Sequence, residues 1–375
     1  MKSISKDKSW KYSNFIKNKN FNFNRDHIFN ILSKNEIDNA YKVISNWEKY
    51  FPTPLENLNK LSFELGLKKI FYKDESKRFN LKSFKALGGA YAVEKISKNK
   101  KNITVSTATS GNHGRSVAWG AKRLGLNCKI FISEFVSESR AEAMRGFGAE
   151  VFRVKGNYDN SLKECINQSK INGWEIIQDV SWDGYEIVPK LTMAGYAVMM
   201  KEISDQLNKN KITHIFLQAG VGGMAAAMIA GCARYLEYIP KIVIIEPESA
   251  DCVLKAVENN KIVTIDIEKE SLMGGMSCGE VSMIPWKIIN NHCNFCISIS
   301  DEKISDTIKL LANASFSEKK IIGGECATPG IISLIASSNN IELRKELDLD
   351  KNSQVLLLGC EGDVDKNLYQ KLLNK

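Results

Sequence analysis

The stretch Gln218-Ala219-Gly220-Val221-Gly222-Gly223-Met224 joins two apolar segments of different character. Residues 212–218 have the length and apolar content of a buried strand, whereas residues 224–236 are rich in alanine and predict a helix. Glycines between a strand and a helix let the backbone turn sharply and direct N–H groups outward, where an anion such as a phosphate can bind. The stretch therefore predicts a strand-loop-helix unit with an anion site.

Two other interpretations of this glycine loop stay open at this point. A tight turn between strand and helix can need glycine for packing alone. A dinucleotide loop also fits, because Gly220, Gly222 and Ala225 match the looser G-x-G-x-x-A pattern and Glu246 ends a strand about 20 residues further on. The chain has no G-x-x-x-x-G-K-[ST] string, which argues against a nucleoside triphosphate.

Strand and helix patterns alternate on both sides of this loop, which predicts an α/β protein with two doubly wound lobes. Residues 1–60 are polar and aromatic instead, and we expect them to form an N-terminal extension that packs on the main body. The predicted strands are residues 103–106, 128–132, 151–154, 212–218 and 242–245, and the predicted helices are residues 114–124, 140–147, 196–207 and 224–236.

Composition and charge argue against a nucleic-acid-binding protein and against a membrane-spanning protein. The chain has 375 residues, of which 43% are hydrophobic and 25% charged, which is ordinary for a globular protein. Its formal net charge is +9, but the lysines are scattered among acidic residues and form no basic stripe. No apolar run approaches the roughly 18 residues of a membrane span. We therefore expect a cytoplasmic protein with no nucleic-acid partner and no membrane partner.

Nine cysteines include one C-x-x-C pair, Cys293 and Cys296. Although His292 is adjacent, no second Cys/His pair lies at the spacing of a zinc finger, so we predict no metal site. We place the pair in a strand over residues 293–298. An odd number of cysteines in a cytosolic chain favours free thiols.

A second candidate segment is Ser83-Phe84-Lys85-Ala86-Leu87-Gly88-Gly89, which leads from a charged strand end into a predicted helix. Lys85 lies in the first turn of that helix. A lone helical lysine is usually solvated, and only a desolvated lysine with a lowered pKa attacks a carbonyl efficiently at neutral pH. Lys85 is a catalytic candidate only if other segments also indicate reaction of a lysine with a carbonyl.

A third candidate segment, Thr109-Ser110-Gly111-Asn112-His113-Gly114-Arg115, again joins a predicted strand to a helix. Hydroxyls, an amide and backbone N–H groups converge in such a turn, which is suited to the carboxylate of a substrate. The alternative is a capped helix start without a ligand, because Ser110 is a good N-cap residue.

Together, the three segments resemble the fold-type II pyridoxal-phosphate enzymes, which include the threonine and serine ammonia-lyases, the cysteine synthases and the tryptophan synthase β chain. The resemblance rests on S-F-K-A-L-G-G, T-S-G-N-H-G-R and A-G-V-G-G-M in this order and covers roughly residues 60–365. It implies pyridoxal 5′-phosphate as cofactor and replaces the dinucleotide interpretation. The implied fold is α/β and tryptophan synthase β-like, with two doubly wound lobes and parallel sheets.

This fold also implies two domains. Residues 1–86 and 200–375 would form the large, cofactor-binding domain, with residues 1–60 as its N-terminal extension. Residues 87–199 would form a small domain inserted in it. We expect a homodimer, which is the commonest closed assembly.

Longer strings are similar to those of the diaminopropionate ammonia-lyases. The similarity implies α,β-elimination from 2,3-diaminopropionate, which yields pyruvate and two ammonia molecules once the aminoacrylate hydrolyses. The enzyme would thus be a carbon–nitrogen lyase with a small amino-acid substrate. The strings are Lys73-Asp74-Glu75-Ser76-Lys77-Arg78-Phe79, Gln178-Asp179-Val180-Ser181-Trp182-Asp183-Gly184-Tyr185, Glu325-Cys326-Ala327-Thr328-Pro329-Gly330 and Glu361-Gly362-Asp363.

The resemblance assigns roles to residues at matching positions. Lys85 would hold the cofactor as a Schiff base and later remove the α proton of the amino acid. Asn112 would hydrogen-bond the ring hydroxyl of the cofactor. The phosphate would be held by Gly220, Val221, Gly222, Gly223 and Met224, and the substrate carboxylate by Thr109, Ser110, Gly111 and His113.

Asp179 matches an acidic residue near the β substituent of the substrate. Its carboxylate could hold a second ammonium group and help it leave, which suits a diamino acid. A strand-end or capping aspartate is the alternative, and Asp183 could compete for the same role.

Ser110, a catalytic candidate by position, departs from the family's motif. Diaminopropionate ammonia-lyases that accept both enantiomers carry aspartate in T-D-G-N-H-G as the base on the D face, whereas an unactivated serine hydroxyl is a poor base. We therefore predict activity confined to L-substrates, or a different β leaving group, with Lys85 as the sole α-proton base. The alternatives are another β-eliminating or β-replacing enzyme, such as a serine or threonine ammonia-lyase, and a non-catalytic binding protein of this fold.

Three cysteines are further candidates for positions in or near the active site. The fold usually places Ser, Thr or Cys beside the pyridine nitrogen after the last strand, here over residues 355–358, and Cys360 is the candidate. A small core residue is the alternative for Cys360. Cys252 and Cys278 could lie together near the active-site mouth, either as a regulatory disulfide or, as we expect in the cytosol, as free thiols.

Overall fold

The computed structural model describes residues 4–100 and 102–375, and strands alternate with helices through most of them. The strands are β1 (Asn14–Lys17), β2 (Leu55–Asn57), β3 (Lys69–Asp74), β4 (Thr104–Ala108), β5 (Asn127–Ser133), β6 (Glu150–Val154), β7 (Glu175–Ile176), β8 (His214–Gln218), β9 (Lys241–Pro247), β10 (Phe295–Ile299) and β11 (Gln354–Gly359). The helices are α1 (Arg25–Ile31), α2 (Lys34–Ile44), α3 (Asn59–Leu65), α4 (Lys85–Ser97), α5 (Asn112–Leu124), α6 (Glu138–Arg145), α7 (Tyr158–Asn172), α8 (Ile187–Tyr196), α9 (Val198–Gln206), α10 (Gly223–Tyr235), α11 (Cys252–Asn259), α12 (Met283–His292), α13 (Ile304–Ala312), α14 (Pro329–Asn339), α15 (Ile341–Glu346) and α16 (Lys366–Asn374).

Two sheets organise the described residues. The larger has the strand order β1-β10-β9-β8-β11-β3-β2, and the smaller has the order β6-β5-β4-β7. The five central strands of the larger sheet are parallel, as are all the strands of the smaller sheet, whereas β1 and β2 close the larger sheet antiparallel at its edges. The predicted α/β class with parallel sheets is confirmed.

The central strands are apolar because helices cover both faces of a parallel sheet. Every residue of β8 and β11 is buried, and only Lys241 of β9 is partly exposed. The predicted strand over residues 212–218 occurs as β8, and the glycine loop follows it directly. Within the part of the chain that the structure describes, no helix is long and apolar enough to cross a bilayer.

Two predicted elements differ from the structure. The helix expected over residues 196–207 begins two residues later, as α9, because Tyr196 ends a separate helix, α8, that was not predicted. The strand expected over residues 293–298 begins at Phe295. Cys293 still belongs to the end of α12, since its N–H donates to the carbonyl of Ile289.

The predicted N-terminal extension, residues 1–60, supplies both edges of the larger sheet in its described part. β1 pairs with β10 and β2 pairs with β3. Helix α2, capped by Ser33, buries Ile37, Ala40 and Ile44 against the core. The smaller sheet is built from strands between residues 104 and 176, which lie inside the proposed small domain. The division at residues 87–199 stays a prediction.

Candidate active site

Lys85 is the first residue of α4, and the segment before it has an unusual backbone. Phe79, Asn80 and Lys82 all have positive φ, at 46°, 59° and 57°. Side chains other than glycine rarely adopt this conformation, so the surrounding structure must hold it in place. One restraint is the backbone N–H of Phe84, which donates to the carbonyl of Cys360 at 3.0 Å.

Helices α4 and α8 cross at glycines, which explains Gly88, whereas a Cβ atom on Gly89 would lie 2.5 Å from Oγ of Ser116 in α5. A Cβ atom on Gly88 would lie 2.3 Å from Cε1 of Tyr196, and one on Gly195 would lie 2.6 Å from the carbonyl oxygen of Leu87. Only glycine permits this approach. The crossing places the ring of Tyr196 with its centroid 5.6 Å from Nζ of Lys85.

Lys85 contacts Asp179, which lies beyond β7. Nζ of Lys85 donates to Oδ2 of Asp179 at 2.5 Å, and the two side chains are 23% and 11% exposed. Burial lowers the pKa of Lys85, but Asp179 and the nearby Tyr196 raise it, and the net pKa lies well above its ordinary value. The carboxylate thus outweighs the desolvation, and Lys85 in this arrangement does not have the lowered pKa of a lysine that attacks a carbonyl efficiently at neutral pH.

His113 lies on the other side of Asp179. Its Nε2 bonds to the carbonyl of Ile177 at 2.8 Å, so Nε2 carries the proton, and Nδ1 lies 3.6 Å from Oδ2 of Asp179 without a hydrogen bond. Burial lowers the pKa of His113, which favours the neutral ring. Burial alone would raise the pKa of Asp179, but its two basic neighbours lower it well below the usual range. Lys85 is thus the cation that balances Asp179.

The other aspartate of this segment is not part of the pair. Asp183 is exposed in a turn between Trp182 and Tyr185, whose rings stack with centroids 4.1 Å apart. Asp179 rather than Asp183 is therefore the acid that the fold brings to Lys85.

The turn between β4 and α5 is held by Thr109. Its Oγ1 accepts hydrogen bonds from the N–H groups of Gly111 and Gly114, at 3.0 and 3.1 Å. Ser110 is exposed and is not the N-cap, a position that Gly111 occupies without a side-chain bond. The carbonyl of Ser110 instead accepts from Nη1 of Arg140 at 3.1 Å. The side chain of His113 turns inward to Asp179, so this residue would reach a carboxylate only through its backbone.

Asn112 begins α5 and pairs with Glu361. Its Nδ2 donates to Oε2 of Glu361 at 2.6 Å, whereas its Oδ1 is buried without a hydrogen-bond partner. A buried amide oxygen of this kind is costly unless a ligand supplies a donor. A ring hydroxyl of a cofactor would be such a donor.

The glycine loop surrounds the N-terminus of α10, which has no side-chain cap. A Cβ on Gly220 would lie 3.0 Å from Sγ of Cys278, and Gly222 combines φ +88° with a Cβ position 2.8 Å from Cδ1 of Ile289. A Cβ on Gly223 would meet only Cε2 of Tyr196, at 4.0 Å. Because Tyr196 also lies against Lys85, the open side of the loop faces the candidate site.

These groups fit pyridoxal phosphate. Lys85 offers an amine for its aldehyde, the uncapped N–H groups of the 13-residue helix α10 suit a phosphate, and Oδ1 of Asn112 lacks a partner. The residues that hold the cofactor nevertheless stay predictions: Lys85, Asn112, Gly220, Val221, Gly222, Gly223, Met224 and Cys360.

Cys360 follows β11 and is buried. Its Sγ donates to the carbonyl of Cys326 at 3.1 Å, and burial raises the pKa of its thiol well above the ordinary value. Gly359 cannot carry the expected side-chain partner of the pyridine nitrogen, because a Cβ there would lie 2.3 Å from Cε1 of Tyr72. Cys360 stays the candidate for that role.

All nine cysteines are free thiols, and two of them flank the glycine loop. Sγ of Cys252 lies 3.8 Å from the carbonyl oxygen of Gly220, next to which Cys278 also lies. Burial raises the pKa of Cys278 to about 12, and the pKa of Cys252 is raised as well. Neither thiol is therefore a ready nucleophile.

Three neighbours of the site were not predicted: Tyr196, Arg140 and Glu361. Tyr196 lies in an apolar helix whose pattern gives no sign of a site, and Arg140 resembles any surface arginine. Glu361 did carry a signal, because it begins one of the quoted family strings, but no role was attached to it.

Comparison with known proteins supports the resemblance to pyridoxal-phosphate enzymes. Residues 47–359 match the family of pyridoxal-phosphate dependent enzymes. Diaminopropionate ammonia-lyase of Escherichia coli (strain K12) is 33% identical over 350 residues, covering 86% of this chain and 87% of that protein. The same enzyme of Salmonella typhimurium is 34% identical over 356 residues, covering 86% and 88%.

Solved structures agree with these relatives. The Escherichia coli diaminopropionate ammonia-lyase in complex with an aminoacrylate–PLP azomethine reaction intermediate superposes with a TM-score of 0.90 at 32% identity, covering 96% of this chain and 97% of that one. A threonine deaminase of Solanum lycopersicum, 20% identical with a TM-score of 0.78 and coverage of 97% of both chains, shares the fold. The chain therefore belongs to the pyridoxal-phosphate dependent enzymes of fold type II and, among them, to the diaminopropionate ammonia-lyase family.

Proposed function

We propose that this protein is a pyridoxal-phosphate-dependent ammonia-lyase that converts 2,3-diaminopropionate, as the L isomer, to pyruvate and ammonia. The observation that carries the proposal is the contact between Lys85 and Asp179, which places an amine and a carboxylate 2.5 Å apart beside an uncapped helix N-terminus. An amine, a carboxylate and an anion site are what elimination from a diamino acid on this cofactor requires.

Pyridoxal phosphate, when bound, supplies an electron sink for the substrate's α carbon. Lys85 anchors the cofactor and is the base for the α proton. Asp179 is ionised and buried, so it binds the β-ammonium group of the substrate and orients it as the leaving group. Its hydrogen bond to Lys85 also provides a path for a proton between Nζ and the departing amine.

The remaining residues bind and orient. Backbone N–H groups at the start of α5, with Thr109, Ser110, Gly111 and His113, hold the substrate carboxylate. Asn112 would hydrogen-bond the ring hydroxyl, and the loop from Gly220 to Met224 would hold the phosphate. Cys360 would be the partner of the pyridine nitrogen. The exposed Ser110 offers no second base, which restricts the reaction to the L face.

A second candidate is the dehydration of L-serine or L-threonine, which Ser110 favours because those ammonia-lyases typically carry serine at this position. Asp179 argues for the diamino acid instead, since a neutral hydroxyl substituent needs no buried carboxylate partner. We also propose that the enzyme acts in the cytoplasm as a homodimer, the commonest closed assembly.

The test is an assay of pyruvate, 2-oxobutyrate and ammonia with L- and D-diaminopropionate, L-serine and L-threonine. Protein supplied with pyridoxal phosphate should form pyruvate fastest from L-diaminopropionate, with two ammonia molecules for each pyruvate, whereas serine yields one. Lys85→Ala should abolish both the reaction and the visible band of the bound cofactor. Preference for serine or threonine would favour the second candidate, and a wild-type chain without a visible band would indicate a non-catalytic binding protein.

A further inference from the structure

Glu361 is a buried carboxylate that none of the proposed catalytic steps uses. It follows β11 and is 5% exposed. Oε2 accepts from Nδ2 of Asn112 at 2.6 Å, and Oε1 accepts from the backbone N–H of Cys326 at 3.0 Å. Both oxygens are therefore engaged by donors from segments that are distant in sequence.

The backbone of Glu361 joins two more segments. Its carbonyl accepts from the N–H of Gly324 at 3.0 Å, and it forms an isolated β-bridge with Ser83. Ser83 lies two residues before Lys85. Glu361 thus holds together the approach to Lys85, the start of α5 and the loop before α14.

The contact also fixes the orientation of the Asn112 amide. An ionised carboxylate only accepts hydrogen bonds, so the amide nitrogen must face Glu361 and the amide oxygen must face away. The oxygen is buried and has no partner in the protein. Without Glu361 the amide could rotate by half a turn and exchange its donor and acceptor.

Arg115 and Glu325 are titratable neighbours of Glu361. Burial lowers the pKa of Arg115 and the Glu361 carboxyl group opposes that lowering, while Nε and Nη1 of Arg115 are buried without a hydrogen-bond partner. Glu325 is a second buried carboxyl group within 4.8 Å of Glu361, but it makes no hydrogen bond to Asn112. Glu325 therefore serves as a matched control for Glu361.

We propose that Glu361 is a positioning residue that fixes the side chain of Asn112 and, through it, the binding and the protonation of the cofactor's ring hydroxyl. The inference rests on the proposed function, because it takes Asn112 as the contact of that hydroxyl. It assigns a role to the Glu361-Gly362-Asp363 string, which no catalytic step uses.

The experiment titrates apoprotein with pyridoxal phosphate and follows the visible band of the bound cofactor as a function of pH. The variants are Glu361→Gln, Asn112→Ala and the double variant, with Glu325→Gln as the control. A glutamine side chain has one acceptor oxygen where that of Glu361 has two. Either Nδ2 of Asn112 or the backbone N–H of Cys326 therefore loses its acceptor. We expect each single variant to weaken cofactor binding about tenfold, as for loss of a charged hydrogen bond. The pH midpoint of the band should move by about one unit in Glu361→Gln.

The double variant separates positioning from a general structural effect. If Glu361 acts through Asn112, the double variant binds the cofactor within about twofold of Asn112→Ala alone. Glu325→Gln should keep the wild-type affinity and pH midpoint at neutral pH. Wild-type values in Glu361→Gln, or single effects that multiply in the double variant, would overturn the proposal.

Two further outcomes are informative. If Glu361→Gln does not fold, Glu361→Asp keeps the charge but is one methylene too short to reach Asn112, and it should show the same loss of affinity. Wild-type protein that binds the cofactor but eliminates nothing would refute the proposed function and leave this titration valid as a test. Wild-type protein that takes up no cofactor would overturn both proposals.

Discussion

Nζ of Lys85 lies 2.5 Å from Oδ2 of Asp179, although 94 residues separate them. The carboxylate holds the lysine as an ammonium ion, which is not the form that attacks an aldehyde. Under the proposed function, cofactor binding and catalysis therefore make opposite demands on Asp179. Its carboxylate should slow the capture of the cofactor by Lys85, whereas departure of the β-amine should require it.

Asp179→Asn tests this opposition. We expect the apoprotein variant to form the visible cofactor band faster than wild type at neutral pH, because the pKa of Lys85 falls and each unit raises the unprotonated fraction about tenfold. Elimination from L-diaminopropionate should slow by about a hundredfold or more. Stopped-flow absorbance and a pyruvate assay measure the two rates. Asp183→Asn, in the exposed turn, is the matched control, and slower cofactor capture in Asp179→Asn would contradict the argument.

Ser110 should confine turnover to the L enantiomer. With Lys85 as the only base, D-diaminopropionate should react about a hundredfold more slowly than the L isomer, since a general base contributes at least that factor. Ser110→Asp should raise the D rate, because the exposed position accepts a carboxylate without burial. Chiral substrates in a pyruvate assay measure both effects. Comparable wild-type rates for the two enantiomers would refute this prediction.

Two neighbouring glycines should respond differently to alanine. Gly222→Ala must adopt φ +88° and meet Ile289, so it should destabilise the apoprotein by about 1–2 kcal/mol. Gly223→Ala meets only Tyr196 at 4.0 Å and should leave apoprotein stability unchanged. Its methyl group would instead occupy the open side of the loop and weaken cofactor binding about tenfold. Thermal unfolding of the apoproteins and cofactor titration distinguish the two, and full cofactor affinity in Gly223→Ala would place the phosphate elsewhere.

Glu325 should make the protein less stable in alkali. Burial, and then the neighbouring Glu361, raise its pKa from the ordinary value of 4.5 to about 8. The native state therefore binds more protons than the unfolded state between these values, and stability falls as the pH rises, by up to about 1.4 kcal/mol per pH unit. The contribution of Glu325 to the free energy of unfolding is fully present below pH 4.5 and is lost as the pH passes 8.

Glu325→Gln should remove this dependence. The variant should match wild type at about pH 5 and be more stable at about pH 9, because glutamine mimics the protonated acid. Unfolding midpoints measured across this range provide the test, with the exposed Glu342→Gln as control. If Glu325→Gln lost the same amount of stability at both ends of this pH range, the raised pKa of Glu325 would not be the cause of the pH dependence.

A buried ion network anchors the segment that leads to Lys85. Arg78, 1% exposed, makes paired hydrogen bonds of 2.8 Å to Glu75 and to Glu202, and Lys73 lies 2.7 Å from Glu202. Arg78→Met should cost about 3–5 kcal/mol in the free energy of unfolding, because it leaves buried carboxylates without their main partner. Urea denaturation measures the loss.

The matched control is Arg145→Met, which removes a surface arginine that also pairs with two glutamates, Glu138 and Glu142. Exposed ion pairs contribute little, so this variant should unfold close to wild type. Equal effects of the two substitutions would show that burial of the Arg78 network does not determine its contribution.

Local patterns predicted much of the fold. The apolar stretch of β8, the glycines after it and the alanines of α10 lie within about 25 residues, and their periodicities predict a strand, a turn and a helix directly. Helix α8 was not predicted, and the close crossing at Gly88 and Gly195 fixes where it packs. That crossing depends on another helix and has no local signal.

The sequence by itself determined the family and singled out Lys85 and the three candidate loops, because these depend on residue types at short spacings. Only the tertiary structure decided which side chains meet. Asp179 rather than Asp183 reaches Lys85, and Glu361 pairs with Asn112 across 249 residues. The physical reason is that hydrogen bonds between distant segments depend on how sheets and helices pack, and packing sets both the partner and the pKa of each buried group.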